Sequence, residues 1–384
     1  MSIKNLQLAA DRIKQAIAKK ERIILYGDAD LDGVSAIIIL QEAIQNLGGM
    51  ATAVYFPDRE KEGYGITRKA LARLNELSPA LLVAADLGIS NFEEIDLARQ
   101  NGFEVIVIDH HKVLDRLPNA NIIVDPKQPG DEYPFKEFAA CGLAFRTAEA
   151  LLGEKMSDSL RQNLVELAAL GTIADMMARE QDNVQIIQEG LDALPYSWRP
   201  GIRAFLELPE LNGTRTIEQK AQDMIGMLNV RDVKKGFPGA YRLLMCPSIK
   251  KAKSMMKVFA EKNKERRAKI EHLAEVVRMR IFHKKNSPLV FEGGEEFEYM
   301  LLGAVASIMS QETNKPAFIF KHTRKECLGS VRAPAGCDTV KAMQSCAHLF
   351  DTYGGHPQAS GFRTTPERID QVRDCLGAYF QENK

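Results

Sequence analysis

Aspartates recur in this sequence where chemistry could use them. Asp28, Asp30 and Asp32 stand at alternate positions directly after the apolar run Ile23-Ile24-Leu25-Tyr26. Asp86 closes the run Leu82-Val83-Ala84-Ala85, and Asp109-His110-His111 closes Val105-Ile106-Val107-Ile108. Short apolar runs bounded by turn signals read as buried strands. The carboxyl ends of parallel strands converge on one crevice, so three strands would deliver acids and imidazoles to one place. Clustered carboxylates raise one another's pKa unless a cation neutralises them. Oxygen ligands with one imidazole suit Mg²⁺ or Mn²⁺, the imidazole favouring the latter. Two such cations can activate water and stabilise an in-line phosphoryl displacement.

Blander readings are weaker. An aspartate after one strand is often only a helix cap, but capping does not explain three strand ends with a His pair attached. A calcium loop starting at Asp28 would need Glu at its twelfth position, which is Ile39.

The elements that must position these residues follow from periodicity. Arg22–Tyr26, Thr52–Phe56, Leu81–Ala85, Phe103–Ile108 and Asn121–Val124 read as buried strands, with helical patterns at Val34–Gln45, Thr67–Leu77 and Asn91–Gln100 between them. This alternation predicts βαβ units and an α/β fold with a doubly wound parallel sheet. Ala139–Leu152 and Asp158–Leu170 continue that domain as helices. Pro195–Pro209, with three prolines and the only tryptophan, reads as a connector, and a long charged helix covers roughly Ile249–Phe282. A smaller C-terminal α/β domain follows, with apolar segments at Pro288–Phe291, Tyr299–Ile308 and Ala317–Phe320, a helix near Thr339–Leu349 and a Gly-Gly-His turn. Thr364-Thr365-Pro366-Glu367 has the form of a capping box opening a terminal helix. The expected division is 1–195, a connector with the long helix at 196–285, and 286–384.

Composition bounds the class. The 384 residues are 45% hydrophobic and 27% charged, ordinary values for a globular chain. No apolar run approaches the roughly 20 residues that span a bilayer, and no secretory leader pattern is seen. Six cysteines without a C-x-x-C pair fit reduced, mostly buried thiols, so a cytoplasmic location is expected. Lys+Arg and Asp+Glu balance at 51 each, so no global charge favours a polyanion. From Lys250 to Lys285, however, thirteen basic residues face four glutamates. That run is either a solvated helix face or a surface that tracks phosphates.

Taken together the motifs resemble a known family. Asp30-x-Asp32-Gly33, Asp86-x-Gly88, Asp109-His110-His111 and Gly171-Thr172-Ile173-Ala174-Asp175 are similar, in order, to the four motifs of the DHH phosphoesterase superfamily. Gly329-Ser330-Val331-Arg332 and Gly354-Gly355-His356-Pro357-Gln358-Ala359-Ser360-Gly361-Phe362 resemble its DHHA1 substrate-binding domain. Pro57-Asp58-Arg59, Glu62-Gly63-Tyr64-Gly65, Asp125-Pro126-Lys127-Gln128 and Asn263-Lys264-Glu265-Arg266-Arg267 resemble the RecJ branch. The resemblance implies that Asp32, Asp86, His110 and Asp175 hold one metal. Asp30 and Asp86, with Asp28 as a further candidate, would hold the second, leaving Asp86 as the bridge. His111 would lie beside the phosphate or orient a ligand. Ser330, Arg332, Gly354, Gly355 and His356 would bind substrate phosphate, as an Arg fork and glycine amides can. The implied cofactor is Mn²⁺ or Mg²⁺, two ions per site, in a cleft between the domains.

There are departures. Tyr26 stands where several DHH branches carry a histidine ligand. Asp182-Asn183-Val184 lacks the Arg of an Asn-Arg pair, for which Arg231, Lys234 or Lys235 are candidate substitutes. The sequence ends soon after Phe362, without the OB-fold of full-length RecJ enzymes, which leads us to expect distributive cleavage. The resemblance implies a 5′ to 3′ exonuclease acting on single-stranded nucleic acid, DNA before RNA, with no membrane partner. Two alternatives stay open: a phosphodiesterase of short oligonucleotides or dinucleotides, and an inactive nucleic-acid-binding scaffold.

Overall fold

The computed structural model describes residues 2–59, 61–114, 116–209, 215–284 and 286–382. Two units emerge, Met1–Lys262 and Asn263–Lys384. In the first, α1 (Leu6–Ala18) leads into β1 (Ile23–Gly27), α2 (Leu31–Asn46), β2 (Ala53–Tyr55), α3 (Arg68–Leu74), β3 (Ala80–Ala85), α4 (Phe92–Gln100), β4 (Phe103–Ile108) and β5 (Ile122–Val124). The sheet order is β2-β1-β3-β4-β5, all parallel. Strand alternation splits the sheet between two cores. Ile23, Leu25, Leu81, Val83, Ile106 and Ile108 pack on α1, α2, α5 (Ala140–Leu152) and α6 (Asp158–Ala174). Ile24, Tyr26, Leu82, Ala84, Val105 and Val107 face α3 and α4. Because both faces are covered, the strands read as unbroken apolar runs.

The helices α7 (Gln181–Ala193), α8 (Pro200–Leu206), α9 (Ile217–Leu228) and α10 (Gly239–Leu244) complete this unit, and α11 (Ile249–Ile281) runs from it into the second. The expected connector Pro195–Pro209 is instead built into the core. Pro200 opens α8 at its first turn, where a missing amide costs nothing, and Ile202 and Phe205 are buried. Arg199, 1% exposed, donates to both Glu42 oxygens at 2.7 and 2.6 Å and to Glu166 at 2.9 Å, clamping α2 to α6.

The second unit contains β6 (Val290–Gly294), α12 (Tyr299–Thr313), β7 (Ala317–His322), β8 (Cys327–Arg332), α13 (Thr339–Ser345), β9 (Thr352–His356), β10 (Ala359–Thr364) and α14 (Ile369–Glu382). Its sheet order is β6-β7-β8-β10-β9, with β6 and β7 parallel and the other pairs antiparallel. Three expectations change here. Gly354-Gly355-His356 is not a turn but the end of strand β9; His356 pairs with Ala359, so the turn falls on Pro357-Gln358. Thr365 precedes a 3₁₀ turn without a side-chain cap bond, and α14 begins only at Ile369. Cys346 and Cys375 are joined by a disulfide rather than both reduced, because α13 and α14 pack together and bring their Cα atoms to 6.2 Å. Among the described residues no helix is long and apolar enough to cross a membrane.

Candidate active site

The candidate ligands gather at the carboxyl ends of β1, β3 and β4. Asp30 caps α2, its Oδ1 accepting from the Gly33 amide at 3.1 Å. Asp32 lies one residue inside that helix. Its two oxygens accept the first amides of α5, from Ala140 at 2.8 Å and Cys141 at 2.7 Å. Those donors are unsatisfied within their own helix, and Ala139 cannot cap them with a side chain. Asp32 thus serves two purposes, held by the helix expected at Ala139–Leu152 through amide bonds that carry no side-chain signal.

Gly33 permits this packing. A Cβ there would lie 2.6 Å from the Asp28 carbonyl oxygen and 2.7 Å from its amide nitrogen, both backbone atoms that cannot swing aside. Gly33→Ala is therefore expected to cost about 1–3 kcal/mol in denaturant unfolding, the usual range for overpacking. It should also weaken Mn²⁺ binding in calorimetry, and unchanged values for both would refute the tight approach.

Asp86 follows β3 in the left-handed region, at φ 65°, with its amide still bonded to the Ile108 carbonyl at 3.0 Å. Such a conformation is uncommon away from glycine and concentrates at functional sites. His110 is 1% exposed, and its Nε2 lies 3.3 Å from Asp86, 3.6 Å from Asp175 and 3.8 Å from Asp32. Asp175 is the C-cap of α6, and its buried Oδ2 has no hydrogen-bond donor among the described residues. The predicted set Asp32, Asp86, His110 and Asp175 therefore converges.

The electrostatics describe a site short of positive charge. Burial, then Asp32, Asp30, Asp28 and Asp175, push the Asp86 carboxyl far above the ordinary range. Burial, then Asp32 and Asp30, raise Asp175 as well. Asp32 rises to about 6 through burial and Asp30, against the α5 amides. Carboxylates in this state, one with an orphaned buried oxygen, fit a divalent cation, which would restore their ionised forms.

Asp28, Asp30 and Asp86 form a second cluster, already partly neutralised by a residue to which the sequence reading assigned no role. Arg59 bonds both Asp28 oxygens and reaches Asp30 at 2.9 Å. Burial would raise Asp30, but Arg59 and the Gly33 amide hold it below the ordinary range. For Asp28, 1% exposed, burial and Asp30 prevail over Arg59 and the carboxyl is raised. The only early signal of Arg59 was its place in Pro57-Asp58-Arg59. Its neighbour Asp58 pairs with Arg231 at 3.2 Å.

Asp109 supports the site. Its Oδ1 accepts from the His110 amide at 2.8 Å and contacts His111 Nδ1 at 2.8 Å, while Oδ2 accepts from the Ile89 amide. Burial would lower the His111 imidazole, but Asp109 outweighs it and pushes it up to about 9. His111 Nε2 is thereby turned toward Tyr64 Oη at 3.4 Å. Asn183 donates to the carbonyls of Glu137 and Ala178, and Arg146 pairs with Asp182 at 2.7 Å.

In the second unit the register sets the remaining candidates in rows. Arg332 pairs with Ala359, which pairs with His356; Ser330 pairs with Gly361, which pairs with Gly354. Directly paired residues share a face, so Ser330 and Arg332 stand two strand spacings, about 10 Å, from Gly354 and His356. The floor between them, Ala359 and Gly361, carries almost no side chain. Gly303 of α12 leaves room for Arg332, since a Cβ there would lie 3.2 Å from Nη2. The result is a trough of phosphate-binding residue types.

The basic run on α11 is less exposed as charge than its count implied. Lys253 pairs with Glu207, Lys262 with Asp232, Lys269 with Glu298, Arg280 with Glu296 and Lys284 with Glu292. Arg278 meets Glu271, Glu275 and Glu312. Most of these acids lie outside the run, which counting along the sequence could not anticipate. Lys285 lies outside the described residues.

Comparison with known proteins places this geometry. The model of the DHH family N-terminal domain matches residues 22–172, and that of the DHHA1 domain matches 286–382. The single-stranded-DNA-specific exonuclease RecJ of Bacillus subtilis (strain 168) is 33% identical over 383 residues, covering 97% of this chain and 47% of that protein. RecJ of Thermus thermophilus is 28% identical over 381 residues, covering 99% and 55%. This chain spans about half the length of these relatives. A crystal structure of exonuclease RecJ bound to manganese matches with TM-score 0.78 at 27% identity, covering 99% of this chain and 95% of that one. The crystal structure of Thermus thermophilus RecJ in complex with Mn²⁺ gives 0.84 at 25% identity, covering 100% and 55%.

Proposed function

The chain belongs to the DHH family, with a DHHA1 domain after its DHH domain, and on that premise we propose that it is a metal-dependent exonuclease. It would hydrolyse single-stranded DNA from a phosphate-bearing 5′ end. The observation that carries this reading is the convergence of Asp32, Asp86, His110 and Asp175, with His110 Nε2 within 3.8 Å of all three carboxylates. Similarity to RecJ proteins bound to manganese supports Mn²⁺ as cofactor.

Asp32, Asp86, His110 and Asp175 would hold one cation, and Asp30 and Asp86 the other. Bound there, the ions supply an activated water and offset charge developing on the phosphate. Asp109 and the α5 amides keep His111 and Asp32 in fixed orientations, so little reorganises as the reaction proceeds. His111 Nε2 offers a hydrogen bond at the rim of the cluster. The trough of Ser330, Arg332, Gly354 and His356 would take the end phosphate, with Arg332 as a two-pronged donor, while Gly355 pairs in the intervening row with Ser360.

Arg332→Ala is expected to raise KM at least tenfold, the loss of a charge-assisted bond worth roughly 1.4 kcal/mol or more. Mn²⁺ affinity by calorimetry should stay at the wild-type value. Lost Mn²⁺ binding with normal KM would remove the trough from the reading.

A second reading, a phosphodiesterase of short oligonucleotides, gains from the neutralised basic residues of α11, because a long strand would find fewer free cations to follow. Single strands of graded length, at matched end concentration and rising salt, separate the two. Rates that climb with length and fall steeply with salt support the long-strand enzyme, whereas rates highest on the shortest oligomers support the other.

A further inference from the structure

We propose that Tyr26 is a positioning residue: it anchors the strap of residues 57–59 and 61–66 that carries Arg59 and Tyr64 to the metal carboxylates. The inference rests on the function proposed above for its kinetic arm only. Tyr26 stands on β1, and its ring lies on the sheet face covered by α3 and α4, together with that of Ile24. It is fully buried, and its Oη donates to the carbonyl of Gly65 at 3.0 Å. It is therefore not a metal ligand in this chain.

The returning end of the strap is held twice. Gly65 has φ +83°, and a Cβ there would fall 2.5 Å from Oδ1 and 2.8 Å from Nδ2 of Asn91. Asn91 accepts from the Ile66 amide at 3.0 Å and donates to its carbonyl at 3.3 Å. Asn91 precedes α4 yet caps nothing with its side chain, which is committed to the strap. The outgoing end is tied through a second tyrosine. Tyr55 stacks on Tyr26 with centroids 5.2 Å apart, and its Oη donates to Glu62 at 2.7 Å. Glu62 also accepts from Arg73 at 2.7 Å. Between the anchors, Arg59 bonds Asp28 and Asp30, and its guanidinium lies 5.4 Å from the Tyr64 ring centroid. Tyr64 Oη lies 3.4 Å from both the Asp86 carbonyl and His111 Nε2. The strap thus reaches Asp28, Asp30, the Asp86 carbonyl and His111, and Tyr26 and Asn91 together set where it returns.

Two measurements on the full chain test this, with Tyr26→Phe and, as a second variant releasing the same end, Asn91→Ala. In hydrogen–deuterium exchange, amides of 58–59 and 61–66 should exchange faster in either variant while β3 and β4 keep wild-type protection. Unchanged exchange in the strap, or faster exchange throughout the sheet, overturns the assignment. In saturating Mn²⁺, Tyr26→Phe should lower kcat/KM roughly tenfold while the number of Mn²⁺ bound in calorimetry stays the same. Arg59→Ala should lose more, and the double variant should lose no more than Arg59→Ala alone, since Tyr26 acts through the strap. Additive losses, or a lost metal, contradict it. If wild type cleaves no end-phosphorylated strand, the proposed function fails, and the exchange experiment still decides the anchor.

Discussion

Asp86→Asn is expected to reduce hydrolysis in saturating Mn²⁺ by about a thousandfold or more, equivalent to roughly 4 kcal/mol of transition-state stabilisation. Asn is chosen over Ala because residue 86 sits at φ 65°, a conformation that Asn tolerates better than most residues. The backbone then stays in place and only the charge is lost. Asp86 belongs to the cluster with Asp28 and Asp30 and also contacts His110, so its removal impairs both proposed cation positions together. The metal-free protein should respond in the opposite direction. Burial and four neighbouring aspartates raise the Asp86 pKa in the folded state from 3.8. A carboxyl raised on folding costs stability as pH climbs from its unfolded value toward the folded one. In EDTA at pH 8 Asp86→Asn should therefore melt no lower than wild type, and any advantage should vanish toward pH 4. Near-normal turnover in Mn²⁺ would show that Asp86 is not the shared ligand.

Arg199→Ala is expected to be the most destabilising single change, by about 3–5 kcal/mol, because it strands two buried carboxylates without their cation. Arg199 bonds Glu42 through two nitrogens and Glu166 through Nε. Ser197 adds a bond to Glu166 at 3.0 Å, too little to balance a buried charge. Burial already holds Glu166 up at about 7 despite Arg199. Adding Glu166→Gln to the variant should therefore recover part of the loss. The check is denaturant unfolding at pH 7.5. A cost under about 1 kcal/mol, as for an exposed pair, would mean that water reaches this network.

How much was legible follows the physics of each feature. The first sheet could be read because burial on both faces leaves its strands as apolar runs, and the ligands follow directly at their ends. The support around those ligands could not be read. Arg59 comes from an aperiodic loop, and the α5 amides that hold Asp32 carry no side-chain signature. Pro195–Pro209 misled because prolines suggest linkers, whereas Pro200 starts a buried helix and Arg199 finds its acids 157 and 33 residues away. The Gly-Gly-His segment misled in the same way, glycines implying a turn where β9 pairs with β10. The basic count on α11 ignored acids supplied from elsewhere in the fold. The family resemblance, by contrast, rested on ordered motifs that these errors did not touch.

The proposed end-directed hydrolysis depends on cations held by the Asp32, Asp86, His110 and Asp175 cluster. Its most direct test uses 5′-phosphorylated single-stranded DNA labelled at either end, incubated with Mn²⁺ or with EDTA and resolved on a gel. A 5′ label is expected to be released at once as mononucleotide and a 3′ label to shorten through a ladder, and EDTA or Asp86→Asn to stop both. Internal fragments from the outset, equal cutting in EDTA, or intact strands in Mn²⁺ would contradict it.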